Sequence, residues 1–206
     1  AAGEVACVSI NGANRLGSNS LPECLVFGAR AGRHAARFVR QHAPHDRAPL
    51  AALARDDAQR INDLYLRKDG GRERIAVLRT EMQTAMESGA GIFRDDVALR
   101  QTCATLADLR GRMTRLHLDD RSRTFNTELT AALELDFMVE IAEAVAHSAL
   151  ARTESRGSHQ RTDYPKRDDA RFLKHTLVYR TDGAPRTDFL AVEITRWPPG
   201  ERVYGR

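Results

Sequence analysis

"FNTELTAALELDFMVEIAEAVAHSALART" (125–153) decides the fold class of this chain. Leu129, Leu133, Phe137, Ile141 and Val145 recur every four residues, and Met138 and Ala142 widen the row. Apolar residues returning at helical spacing mark one long amphipathic helix, and the row predicts the face it buries. Upstream, helical patterning covers about 50–67, 72–88 and 96–117, interrupted at "KDGGR" (68–72) and "SGAGIFRD" (88–95), where glycines break the period. Four segments of moderate length with short breaks predict an antiparallel bundle.

Both flanks differ from the bundle. "HAPHDRAP" (42–49) holds two prolines and reads as a linker. Before it, residues 3–11 alternate loosely between small and β-branched types, as a short buried strand or a turn does. "GANRLGSNSL" (12–21) follows, and then a helix to about residue 41. Ser20 and Glu23 read as an S-x-x-E capping box, with Pro22 in the first turn, where a missing N–H costs little. Gly28 and Gly32 lie four apart on one helix face and allow another backbone to approach. After the bundle, "ESRGSHQRTDYPKRDDARF" (154–172) is polar and aperiodic. "LKHTLVYR" (173–180) and "DFLAVEITRW" (188–197) then read as two strands of a hairpin, joined by "TDGAPRT" (181–187).

Composition narrows the function classes. The 206 residues are 42% hydrophobic and 29% charged, as in an ordinary globular protein. The formal charge is +4, but acids are interspersed with the arginines and no basic stripe carries interleaved aromatics, so nucleic acid is not an expected partner. No apolar run reaches the length of a membrane span. Cys7, Cys24 and Cys103 are an odd set without C-x-x-C spacing, which argues against a disulfide framework and a zinc site. His42 and His45 form an H-x-x-H pair without a third ligand, so no metal site is assigned.

The turn at 12–21 places Arg15 directly before a helix start. A helix N-terminus offers free backbone N–H groups and the positive end of a dipole, and anions settle there. The amides of Ser20 and Leu21 point out of this end. A reduced flavin carries negative charge near N1 and the C2 carbonyl, so a helix end aimed there favours hydride chemistry at N5. The Arg15 guanidinium is a planar fork matched to a carboxylate. A glycine-rich turn before a helix is also common, and a loop arginine is most often solvated, so the residues alone leave both readings open.

"GEVACVSINGANRLGSNSLPECLVFGARAG" (3–32) closely resembles the C-terminal part of the flavoprotein subunit of fumarate reductase and succinate dehydrogenase. "FRDD" (93–96), "FNTELTAALEL" (125–135), "ESRGSHQRTDYPKRDD" (154–169) and "LKHTL" (173–177) follow in the order expected of that family. The resemblance implies FAD as cofactor and hydride transfer between flavin N5 and a C4 dicarboxylate, fumarate or succinate. It implies that Glu4 contacts the ribityl or ribose region of FAD. Ser20 and Leu21 would contact the isoalloxazine with Asn19 nearby, and Arg15 would clamp a substrate carboxylate. The expected class is therefore mainly α: a C-terminal helical bundle over 45–153, a small α+β tail with its hairpin over 154–206, and over 1–44 the remnant of an FAD-binding α/β domain.

The family's G-x-G-x-x-G turn, its flavin-linking histidine and its proton-donating arginine are expected upstream of residue 1. The chain thus reads as a C-terminal fragment, inactive alone, and no catalytic residue is assigned within it. His159 and His175 are expected to be structural. No cysteine pattern holds a cluster, so electrons must pass through a separate iron–sulfur subunit. The resemblance further implies membrane anchor subunits and a peripheral place on the cytoplasmic face of the inner or plasma membrane, in electron transport and anaerobic respiration. The bundle and the 154–171 stretch are the expected docking surfaces, unless they pack on the FAD domain instead. The tail "ITRWPPGERVYGR" (194–206) and Ser18 favour fumarate reductase over succinate dehydrogenase. L-aspartate oxidase is the alternative, since it shares "GEVAC", a GANRL-x-SNSL turn and ESRG-x-H. A non-catalytic helical binding module is the third reading, if the fragment stands alone.

Overall fold

The computed structural model describes residues 2–3, 5–8, 10–13, 15, 17–43, 46–67 and 70–200. They fall into two compact units, Ala1–Asp57 and Ala58–Arg206.

The first unit contains helix α1 (Ser20–Gln41) and most of α2 (Ala48–Ile61). α1 ends where His42 turns to extended backbone. The His42 N–H still bonds the Phe38 carbonyl, and its ring stacks on Phe38 at 4.0 Å. Neither helix buries a single side chain. Among the described residues before position 12 there is no strand; Gly3, at φ 81°, sits in a turn closed by the Ala6 N–H on its carbonyl at 3.0 Å.

The second unit opens with the last turn of α2, continued by a π-helical turn, Asn62–Leu66, that buries Tyr65. Then come α3 (Ile75–Ala90), β1 (Phe93–Arg94), α4 (Asp96–Met113), α5 (Thr127–Ala151), β2 (Gln160–Arg161), a short α6 (Asp169–Phe172), β3 (Lys174–Tyr179) and β4 (Arg186–Ala191). Side-chain caps set two helix starts: Asp95 accepts from the Ala98 N–H at 2.8 Å before α4, and Asn126 from the Leu129 N–H at 2.7 Å before α5. The core is built from α3, α4 and α5, with Tyr65 joining Leu78, Met82, Leu106, Leu109, Leu135 and Val139. The bundle is thus three helices closed by a π turn, because α2 itself presents no buried face. At the α3–α4 crossing a Cβ on Gly89 would collide with Thr102 Oγ1 and stand 2.7 Å from the Ala98 carbonyl, so glycine permits the approach.

α5 corrects the sequence expectation. Its buried line is Ala132, Leu135, Val139, Ala142, Ala146 and Ala149, whereas Phe137, Ile141 and Val145 are 58%, 63% and 41% exposed. A strict four-residue step advances about 40° beyond each full turn. A row that begins half-buried at Leu129 and Leu133 therefore winds off the core face. The buried line alternates steps of three and four, which keeps it facing its neighbours.

The tail is more ordered than its composition suggests. β2 pairs in parallel with β1, Phe93 opposite Gln160. β3 and β4 form an antiparallel hairpin with Lys174 opposite Ala191, and Phe189 meets Phe172 edge to face at 5.7 Å.

Candidate functional site

Two regions bear the sequence-expected site residues, one in each unit. In the first, α-helical bonding begins with the Glu23 N–H on the Asn19 carbonyl at 3.1 Å. Pro22 has no N–H, so the Ser20 and Leu21 amides are the ones left open at this helix start. Asn19 takes the N-cap position in helical conformation, and its side chain makes no cap bond. Ser20 is the first helical residue rather than the cap. The Glu23 carboxylate does not fold back in a capping box; it accepts from Asn11 Nδ2, 3.3 Å from each oxygen. Leu21 is 74% exposed.

Arg15 is exposed and has no acidic partner among the described residues. Added Cβ atoms at Gly12 and Gly17 would meet nothing within 4 Å. Ser18 adopts φ 68°, a left-handed conformation that costs a non-glycine residue about 1–2 kcal/mol. Open amides, an unpaired guanidinium and bare glycine backbone are what a planar anionic ring and a carboxylate require, so the residues present fit a flavin with an acid beside it. Arg15, Asn19, Ser20 and Leu21 are brought together as chain neighbours, without hydrogen bonds between their side chains. Glu4 lies outside the described residues.

The second region is the ESRG stretch, and its polar groups are already consumed. Glu154, fully buried, accepts from Arg152 Nη1 at 2.6 Å, Arg156 Nε at 2.8 Å, Arg156 Nη2 at 2.9 Å and the Asp168 N–H at 2.8 Å. Burial alone would raise its pKa, but these donors outweigh it and hold the carboxyl below its usual range. Arg161, also buried, binds Asp163 through two 2.7 Å bonds and donates to the Ala149 carbonyl at the end of α5. Asp163 in turn accepts from the Asp96 N–H at 2.9 Å at the start of α4, and its pKa is lowered to about 2, first by the Arg161 bonds. One arginine–aspartate pair therefore ties a helix end to a helix start, each at the pole that its charge favours.

His159 belongs to the same junction. Arg94 Nη1 lies 3.0 Å from Nδ1, and a guanidinium only donates, so Nδ1 accepts and the proton sits on Nε2, which donates to the Arg152 carbonyl at 3.0 Å. Burial, followed by the nearby arginines, holds its pKa below the ordinary value, so the ring is neutral. It has no free nitrogen to offer a substrate. His175 stands in β3 opposite Leu190, away from this junction's hydrogen bonds. No cluster of metal ligands occurs among the described residues, and no helix there is long and apolar enough to cross a membrane. The role of this junction was missed at the sequence level. The available signal was the density of alternating arginine and aspartate at 152–171, which reads as a network once a buried acid is assumed.

Comparison with known proteins is consistent along the chain. A family model described as "Fumarate reductase flavoprotein C-term" matches residues 79–204. The fumarate reductase flavoprotein subunit of Mycobacterium tuberculosis is 57% identical over 210 residues, covering 100% of this chain and 36% of that protein. The succinate dehydrogenase flavoprotein subunit of Coxiella burnetii is 43% identical over 187 residues, covering 87% of this chain and 30% of that protein. Among solved structures, a variant of E. coli quinol fumarate reductase FrdA has a TM-score of 0.90 at 44% identity, over 98% of this chain and 35% of that one. The chain spans about a third of the length of these relatives.

Proposed function

This chain belongs to the fumarate reductase flavoprotein C-terminal family, and on that premise we propose that its 12–21 turn forms part of a flavin and dicarboxylate site in a full-length oxidoreductase subunit. The observation that carries this reading is the pairing of two open amides, at Ser20 and Leu21, with the exposed and unpaired Arg15 just before them. FAD, when bound, supplies the hydride donor or acceptor at N5. The open Ser20 and Leu21 amides would hold the ring near N1 and the C2 carbonyl and favour negative charge there. Asn19 lies beside them, and Glu4 would hold the ribityl or ribose. Arg15 would grip one carboxylate of fumarate or succinate and so orient the substrate. No general acid is assigned to this chain.

Fumarate reductase is favoured over succinate dehydrogenase, since identity reaches 57% to the former and 43% to the latter. The reading includes an iron–sulfur subunit and membrane anchor subunits as partners, quinone linkage, and a peripheral position on the cytoplasmic face of the membrane. The exposed apolar residues of α1 and α5, among them Leu25, Val39, Phe137 and Ile141, suit packing against the remainder of the flavoprotein.

Arg15→Ala in the full-length enzyme tests the central role. Fumarate reduction should fall by about a hundredfold or more, as expected when a positioning clamp is lost, while FAD content stays unchanged. Activity within a few-fold of the parent would refute the clamp.

A further inference from the structure

We propose that Asn11 is a positioning residue whose task is to hold the Glu23 carboxylate, so that Arg15 stays free for the substrate. This rests on the reading that Arg15 grips a substrate carboxylate. Glu23 stands in the first turn of α1, eight residues after Arg15, and is the only acid in that helix. A flexible arginine in a glycine-rich turn and a carboxylate at the turn's far end are natural partners for an ion pair. In the structure they do not pair. The Asn11 amide, at the other end of the same turn, donates across both carboxylate oxygens at 3.3 Å each. The nitrogen must face the acid, since the amide oxygen would repel it.

The geometry has two consequences. First, the bond closes the turn: among the described residues of 10–18 it is the one hydrogen bond that reaches the helix. A Cβ added at Gly12 or Gly17 would meet nothing within 4 Å, and Ser18 is already held at φ 68°. Second, it satisfies Glu23 with a neutral donor. A neutral amide neutralises no charge on Arg15, so the guanidinium remains available to an incoming dianion. Without Asn11, Glu23 becomes an intramolecular competitor of the substrate for Arg15.

Competition has a kinetic signature that loss of structure lacks. Saturating substrate displaces an intramolecular blocker, so KM rises while kcat holds. Removing the blocker's charge must then reverse the defect. In the full-length enzyme, Asn11→Ala is expected to raise KM for fumarate about tenfold with kcat within twofold of the parent. Asn11→Ala/Glu23→Gln is expected to return KM to within about threefold of Glu23→Gln alone. FAD content is measured for every variant, and Arg15→Ala is assayed alongside. If Arg15→Ala abolishes turnover but Asn11→Ala leaves KM unchanged, or Glu23→Gln fails to restore it, the role of Asn11 is wrong and the clamp stands. If Arg15→Ala is itself silent, the clamp and the role of Asn11 fall together.

Discussion

Glu154→Gln keeps the shape of a fully buried side chain and removes its charge. Four donors converge on the carboxylate, two on each oxygen. A glutamine has one acceptor oxygen, so either the Arg152 Nη1 and Arg156 Nε pair or the Arg156 Nη2 and Asp168 N–H pair then faces an NH₂ group. Two donors lose their acceptor, and each buried, unsatisfied donor costs about 1–3 kcal/mol. Breaking one side of a buried ion pair costs about 3–5 kcal/mol. The two routes agree on about 4 kcal/mol for this substitution. At about 2–4 °C per kcal/mol for a chain of this size, the melting temperature falls by about 12 °C. With m near 2 kcal/mol/M, the urea midpoint falls by about 2 M. Thermal and urea unfolding of the 206-residue chain, followed by far-UV circular dichroism, measures both. A loss below about 1 kcal/mol at unchanged m would refute the assignment of Glu154 as the hub that joins Arg152, Arg156 and α6.

Leu135→Ala should cost about 2–5 kcal/mol of stability, while Phe137→Ser in the 206-residue chain should stay within about 0.5 kcal/mol; equal urea midpoints for the two would place the core face of α5 wrongly. Gly89→Ala forces a methyl against Thr102 and the Ala98 carbonyl and should cost about 1–3 kcal/mol, read in the same assay, with a neutral result excluding the tight α3–α4 approach. Glu154 and Asp163 both have folded pKa values below their usual ones, so their stabilisation is present above the ordinary carboxylate range and is lost as pH falls through the folded values, for Asp163 from about 4 towards 2. Urea midpoints measured between pH 5 and pH 2 should drop through that window, and Asp163→Asn should flatten part of the drop; a parent midpoint that is level across it would contradict the network.

Helix existence was legible in the sequence because it depends on local spacing and breakers. Gly70 and Gly71 stand between α2 and α3, Gly91 between α3 and α4, and Pro22 stands in the first turn of α1. Helix phase was less legible. In α5 apolar side chains fall on more than one face, so large residues at 137, 141 and 145 outweighed the alanines that make the buried line. Alanine allows α3 and α4 to come close, and burial there follows backbone distance rather than side-chain size. The parallel pair of β1 and β2 was invisible for a different reason. Two residues at 93–94 meet two at 160–161, and no local period reports a contact across that separation.

The polar residues divide on the same physical ground. At 152–171 the arginines are spent: each carboxylate of Glu154, Asp163, Asp168 and Asp169 lies within an ion pair, and the histidine among them is fixed as a neutral ring. Such a network can orient helices but has no valence left for a ligand. At 12–23 the reverse holds, since one acid is satisfied by a neutral amide while the guanidinium and two backbone donors remain open. Residue type alone does not separate the two regions, because both are arginine set among small polar residues. What separates them is whether each donor already has an acceptor. By that criterion the glycine-rich turn, not the arginine-rich tail, keeps donors open for the anion we propose it binds.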